Sequence, residues 1–264
     1  MKRNWLPIAA CLLFLSACGT SAKTTETRTA DTSEKTLTVT TAGLHFPWNY
    51  KEKDNTLTGY DVEVTTAVAE KLGYQIDWVT TDFSSQMAQL EAGRADAVAE
   101  HVAITEKRKE TYQFSRPYAY PDIELMVTKD STLKELTDLK GKKVAVALGS
   151  FYEDYIRSHN PEGDIEVVTY EDTSGIPNDI SYGRVDAYLN DKISGEEKIK
   201  QSGLALKMTG VSIFQAEFAY PFPKTEQGTA LLKQFDQALE ELKADGTLKK
   251  LSEKYFSEDL STKS

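Results

Sequence analysis

The sequence predicts an α/β protein built as two lobes, and three observations predict it. Short strand-like runs alternate with helix-period runs along residues 37–99. The alternation restarts near Ile123 and continues through a second set of strands. The part expected to fold contains no cysteine, so its stability has to come from an apolar core, and the chain is long enough to supply one. Such alternation argues for mostly parallel sheets covered by helices.

The chain opens with Met1-Lys2-Arg3, an almost wholly apolar run over residues 6–15, and the small residues Ser16 and Ala17. This is the layout of a secretory signal over residues 1–17, and the run is too short for a stable membrane span. Leu15-Ser16-Ala17-Cys18-Gly19 resembles a bacterial lipobox, which implies cleavage before Cys18 and a lipid thioether on its sulfur. The only cysteines are Cys11 and Cys18. Cys11 leaves with the signal and Cys18 is the anchor, so a disulfide, a thiol nucleophile and a cysteine-bound metal are excluded. Residues 18–36 read as anchor and flexible tether, since nothing after Cys18 there is apolar and larger than alanine.

Within the folded part, residues 37–41 alternate as a strand and 44–58 read as a loop around Pro47 and Lys53-Asp54-Asn55. Val64, Ala67, Val68 and Leu72 mark a helix over 60–72 that stops at Gly73. A strand (74–79), a helix (83–92) and a short strand (95–99) follow. The second series has an extended run at 123–128, a helix at 133–139 and a strand at 143–148 entering Gly149. It continues with a helix at 151–158, strands at 165–170 and 186–189, and an extended aromatic stretch at 213–222. Helices at 226–245 and 247–255 end the chain, with Gly246 as a C-cap and Thr247 as an N-cap. Two such units place a ligand in the crevice at the strands' carboxyl ends. The net charge of −10, without a basic tract, argues against a nucleic-acid partner.

Gly59-Tyr60-Asp61-Val62-Glu63-Val64, followed by Val68-Ala69 and Leu72, closely resembles the signature of the amino-acid-binding proteins of ABC importers, solute-binding protein family 3. Ala103-Ile104-Thr105-Glu106-Lys107-Arg108, Phe114-Ser115-x-Pro117-Tyr118, Asp138-Leu139-Lys140-Gly141-Lys142-Lys143-Val144, Gly183-Arg184-Val185-Asp186-Ala187 and Lys243-Ala244-Asp245-Gly246-Thr247 extend the resemblance in order. It implies a type II periplasmic-binding-protein-like fold with lobe II inserted into lobe I. Lobe I would be residues 37–120 plus 217–260 and lobe II 121–216, with two hinge crossovers near 120–123 and 215–220. It also implies an extracytoplasmic, lipid-anchored monomer that delivers a free amino acid to an ABC permease and its ATPase, without cofactor or metal. The runs 149–154, 109–115 and 248–254 look most like cystine and polar-amino-acid binders.

Carried over by the resemblance, Arg108 would grip the ligand carboxylate, and a guanidinium suits two parallel hydrogen bonds. Without the motif it would read as a surface arginine among Glu106, Lys107, Lys109 and Glu110. Gly149 and Ser150, a strand-to-helix turn, would add backbone N–H donors beside Phe151. Asp191 would take the ammonium, and it also suits a helix N-cap. His45 and Phe83 look like the ring pair around the ligand's body, with Trp48 nearer the core. Glu100 and His101 depart from the family pattern. As neighbours at a strand end they should point to opposite sides, and Glu100 in the pocket would favour a cationic or polar group. Ala103 lacks the hydroxyl often found there but keeps its N–H. Asp61 and Glu63 suit the helix dipole, and no chemistry is assigned to them. A basic-amino-acid binder, a dehydratase-type enzyme using Glu100 or His101, and a sensor domain stay open as alternatives.

Overall fold

The computed structural model describes residues 35–263. The expected signal, the Cys18 anchor and the tether up to residue 34 lie outside the described residues. The last two tether positions, Lys35 and Thr36, already belong to the first strand, where they pair with Tyr74 and Gln75.

The first lobe begins with Lys35–Thr41 (β1), Leu44–His45 (β2), Asn49–Lys51 (β3), Leu57–Thr58 (β4), Tyr60–Leu72 (α1), Tyr74–Thr80 (β5), Phe83–Glu91 (α2), Ala97–Val98 (β6), Glu106–Thr111 (α3) and Tyr112–Phe114 (β7). Strand β1 buries Leu37 and Val39 and pairs in parallel with β5 on one side and β6 on the other. Parallel neighbours need crossovers, and α1 and α2 supply them. Helix α1 turns Val64, Val68 and Ala69 inward, each worth roughly 1–3 kcal/mol when buried. It starts at Gly59 (φ 121°), where a Cβ would sit 2.4 Å from the Trp48 carbonyl oxygen, so only glycine fits.

The second lobe holds Asp122–Thr128 (β8), Lys143–Ala147 (β9), Phe151–Ser158 (α4), Glu166–Tyr170 (β10), Ile176–Ser181 (α5), Ala187–Asp191 (β11), Lys192–Ser202 (α6), Leu206–Met208 (β12) and Phe214–Gln215 (β13). Its sheet runs β10-β9-β11-β8-β12, with β13 also on β8. Here the mostly parallel expectation is corrected. Strand β9 is parallel to β10 and β11, but β8 is antiparallel to β11, β12 and β13. Strand β8 enters directly from the first lobe rather than through a helix, so it arrives from the opposite end.

The chain returns through Pro221–Pro223 (β14), which pairs with β7, and ends in Glu226–Ala244 (α7) and Thr247–Phe256 (α8). The outgoing and returning passages lie side by side. The Ala216 N–H donates to the Pro121 carbonyl at 3.0 Å, and Ala119 bridges Phe218. Leu231, Phe235, Leu239 and Leu242 of α7 close the first core.

Several local expectations are revised. The 44–58 loop contains an antiparallel meander, β2-β3-β4, whose strands are too short to show a period. Of residues 133–139 only Leu136–Leu139 coil, as one 3-10 turn capped reciprocally by Glu135 and Asp138. Thr247 is not a cap. It opens α8, and the Asp245 carboxylate accepts its N–H at 3.0 Å.

Candidate functional site

A cleft of about 330 Å³ opens between the lobes. His45, Phe83, Glu100, His101 and Arg108 line it from the first lobe, and Gly149, Ser150, Phe151 and Asp191 from the second. Ala103 does not line it. That residue faces an adjoining cavity of about 630 Å³ that shares Phe151.

Arg108 sits on α3, whose N-cap Thr105 accepts the Arg108 N–H at 3.1 Å. Its neighbours take the surface: Lys109 pairs with Glu106, and Lys107 reaches Asp154 on the second lobe at 3.1 Å. The Arg108 guanidinium instead turns inward over the Phe83 ring, 5.3 Å from its centroid, and Nη1 donates to the Ala103 carbonyl at 3.0 Å. Among the described residues no carboxylate lies within ion-pair distance of it. Burial holds its pKa below the usual arginine value, yet the group stays cationic at neutral pH. A half-buried cation with most of its donors unused is a site for an anion.

Asp191 caps α6, as its residue type suits, and also ends β11. It is 2% exposed. Its Oδ1 accepts the Ser194 N–H at 2.8 Å and, more loosely, Trp48 Nε1–H at 3.4 Å, while Oδ2 accepts the Tyr152 hydroxyl at 3.3 Å. Trp48 comes from the first lobe, so that bond crosses the cleft.

The Gly149-Ser150 turn lines the cleft but does not present free N–H groups. Gly149 N–H donates to the Glu153 carboxylate at 2.8 Å and Ser150 N–H to the Ala147 carbonyl at 3.2 Å. Glu153, in the first turn of α4, holds the donor that the sequence reading offered to a ligand.

Glu100 and His101 both face the cleft, against the expectation of opposite sides. Strand pairing ends at Val98, and His101 has φ 38°, which breaks the alternation. Glu100 is 6% exposed and saturated. Its Oε2 accepts Ala42 N–H (2.6 Å), the Thr41 hydroxyl (3.2 Å) and Gln86 Nε2–H (3.2 Å), and His45 Nε2 lies 3.2 Å from Oε1. Burial raises the Glu100 carboxyl. Desolvation by neighbouring groups, with the His101 and Lys198 charges, lowers the His45 imidazole, although half of its side chain stays open to solvent. The two expected sandwich rings thus have other partners: His45 holds Glu100, and Phe83 underlies Arg108.

The residue that sequence reasoning missed here is Asp61. It is fully buried, with Oδ1 accepting the Tyr118 hydroxyl at 2.7 Å and Oδ2 facing Asn49 Nδ2 and His101 Nδ1 at 3.0 Å each. Its place on the inner stripe of α1, beside Val64, Thr65 and Val68, is the signal that separates it from outward Glu63, which pairs with Lys254. Trp48, wholly buried as expected, stacks on His101 at 5.2 Å. Tyr152 of α4 and Lys198 of α6 also line the cleft, the latter on a helix whose polar sequence hides an inner face.

Burial alone would lower the His101 imidazole, but the hydrogen bond to Asp61 and the carboxylates of Asp61, Glu100 and Asp191 raise it above 6.5. The protonated ring therefore contributes stability that is full below about pH 6.5 and is lost as pH rises through the folded pKa. The depressed His45 acts with opposite sign and only below 6.5. The melting temperature should fall as pH rises above about 6.5, and fall less in His101→Gln. Equal slopes in the two proteins would remove His101 from this role.

A family model described as bacterial extracellular solute-binding proteins, family 3, matches residues 37–258. The probable amino-acid-binding protein YxeM of Bacillus subtilis (strain 168) is 43% identical over 261 residues, 98% of this chain and 97% of that protein. The L-cystine-binding protein TcyJ of Escherichia coli (strain K12) is 36% identical over 227 residues, 85% of this chain and 84% of that one. A solved structure of an ancestral arginine-binding protein bound to arginine matches with a TM-score of 0.75 at 32% identity, covering 84% of this chain and 99% of that chain.

Proposed function

The chain belongs to the bacterial extracellular solute-binding proteins, family 3, and from that premise we propose that it captures a polar amino acid, cystine first, in the inter-lobe cleft and presents it to an ABC permease. The observation that carries this reading is the arrangement of Arg108 and Asp191 on opposite walls of one cleft. An α-carboxylate satisfies the unused guanidinium donors, and the ammonium meets the Asp191 carboxylate. A ligand held at both ends ties the lobes together, so the closed form is favoured when the ligand is present. A permease that recognises only the closed form then receives only loaded protein.

The lean to cystine rests on the likeness to a cystine-binding relative and on the similar runs at 109–115, 149–154 and 248–254. Glu100 would suit a basic ligand, but that carboxylate already accepts from Ala42, Thr41 and Gln86 and faces His45. The same occupancy of Glu100 argues for binding without turnover, because its carboxylate is engaged by Ala42, Thr41, Gln86 and His45. The protein works as a monomer outside the cytoplasm, held to the membrane by lipid on Cys18. No helix among the described residues is long and apolar enough to cross a membrane.

Thermal unfolding of the purified protein against all amino acids plus cystine tests the proposal. A ligand at a hundredfold excess over its Kd adds about 2.7 kcal/mol, roughly 5–10 °C for a domain of this size. One ligand or a few related ones should shift the transition. A flat panel from folded, ligand-free protein would overturn the reading, and turnover of a cyclic hydroxy acid would replace it with the dehydratase.

A further inference from the structure

Resting on the amino-acid reading above, we propose that Lys198, with Thr173 beside it, forms a distal subsite for a second carboxylate carried by the bound amino acid. Three positions on one helix carry the argument. Asp191 caps α6, and Ser194 and Lys198 lie on the same face, all three lining the cleft. At 1.5 Å per residue, Lys198 stands about 10 Å along the helix from Asp191. A ligand whose ammonium is held at Asp191 therefore extends its far end toward the lysine.

The Lys198 ammonium is half-buried. It donates to the Thr173 hydroxyl at 3.3 Å and, among the described residues, makes no ion pair. Burial lowers its pKa, and the carboxylates of Asp191 and Asp172 offset this only in part. Glu171 lines the cleft beside Thr173 with its side chain exposed. The cleft wall thus carries, beyond Arg108 and Asp191, a second cation, Lys198, and the exposed carboxylate of Glu171. A molecule with two zwitterionic heads, such as cystine, is matched at both ends. An acidic amino acid would use only Lys198 at its far end, and a basic one would meet Lys198 as a like charge.

Calorimetric titration of wild-type protein, Lys198→Gln and Lys198→Arg with cystine, glutamate, S-methylcysteine and arginine separates these. Wild type should prefer a ligand with a distal carboxylate over neutral S-methylcysteine. Lys198→Gln should shrink that preference about 10-fold or more, the worth of one charge-assisted hydrogen bond, and Lys198→Arg should keep most of it. Cystine above glutamate identifies the two-headed ligand, and glutamate above cystine the acidic one. A preference unchanged in Lys198→Gln, or arginine binding tightest to wild type, overturns the subsite while leaving the amino-acid reading standing. Failure of every ligand on wild type overturns both.

Discussion

Arg108→Ala is expected to weaken ligand binding by at least about 30-fold while leaving the unliganded protein as stable as before. Removing one partner of a desolvated, hydrogen-bonded charge pair costs about 2–5 kcal/mol, or roughly 30- to several-thousand-fold in Kd. In the unliganded protein, however, the guanidinium makes one hydrogen bond, to the Ala103 carbonyl, and rests over Phe83. Its loss there removes a buried cation that lacks a counter-ion, which is close to neutral for folding. Arg108→Lys should recover only part of the affinity, since an ammonium cannot form two parallel bonds to a carboxylate. Calorimetry and thermal melts on the same samples check both halves. A large loss of Tm in Arg108→Ala would mark the residue as structural.

Asp61→Ala should show the reverse pattern, with a large loss of stability. The substitution strands the Tyr118 hydroxyl, the Asn49 amide and the His101 imidazole in a buried space. Breaking a buried charged network in this way costs about 3–5 kcal/mol, which is roughly 6–20 °C of Tm for a domain of this size. Glu63→Ala, two residues along the same helix, is the control. Its partners are mostly exposed Lys254, a surface pair worth about 0–1 kcal/mol, and the Tyr255 hydroxyl, a hydrogen bond worth about 0.5–1.5 kcal/mol, so its loss should be clearly the smaller. Equal effects from the two substitutions would refute the assignment of Asp61 as the hub.

What could be read without a structure divides along physical lines. Helix α1, helix α4 and strand β1 were legible because an apolar period over a full element survives in the sequence. The placement of Arg108 and Asp191 in one cleft was legible, from a motif for Arg108 and from a motif and a strand-end position for Asp191. The meander β2-β3-β4 was hidden, since strands of two or three residues exist only through their pairing. Helix α6 was hidden because its working face is polar, Asp191-Ser194-Lys198, and leaves no apolar stripe. The occupancy of donors was also invisible. Only the folded chain shows that Glu153 reaches back to Gly149, or that Ala42, Thr41 and Gln86 converge on Glu100. The bonds to Glu100 join groups 14 to 59 residues apart, and no local pattern encodes them.

The path of the chain through its two sheets also sets an order of assembly. Every strand of the second sheet falls between Asp122 and Gln215, so that sheet can close as soon as those residues are available. The first lobe cannot, because β7 finds its partner only at Pro221–Pro223, and α7 arrives later still. Closing so long an intervening loop is entropically unfavourable when the loop is coil. Once the inserted lobe has folded, it holds the ends of that loop close together, as the Ala119–Phe218 bridge and the Ala216–Pro121 bond indicate. In a chain made from its N-terminus, the lobe that begins first is the one completed last, and the inserted lobe serves as the template on which it finishes.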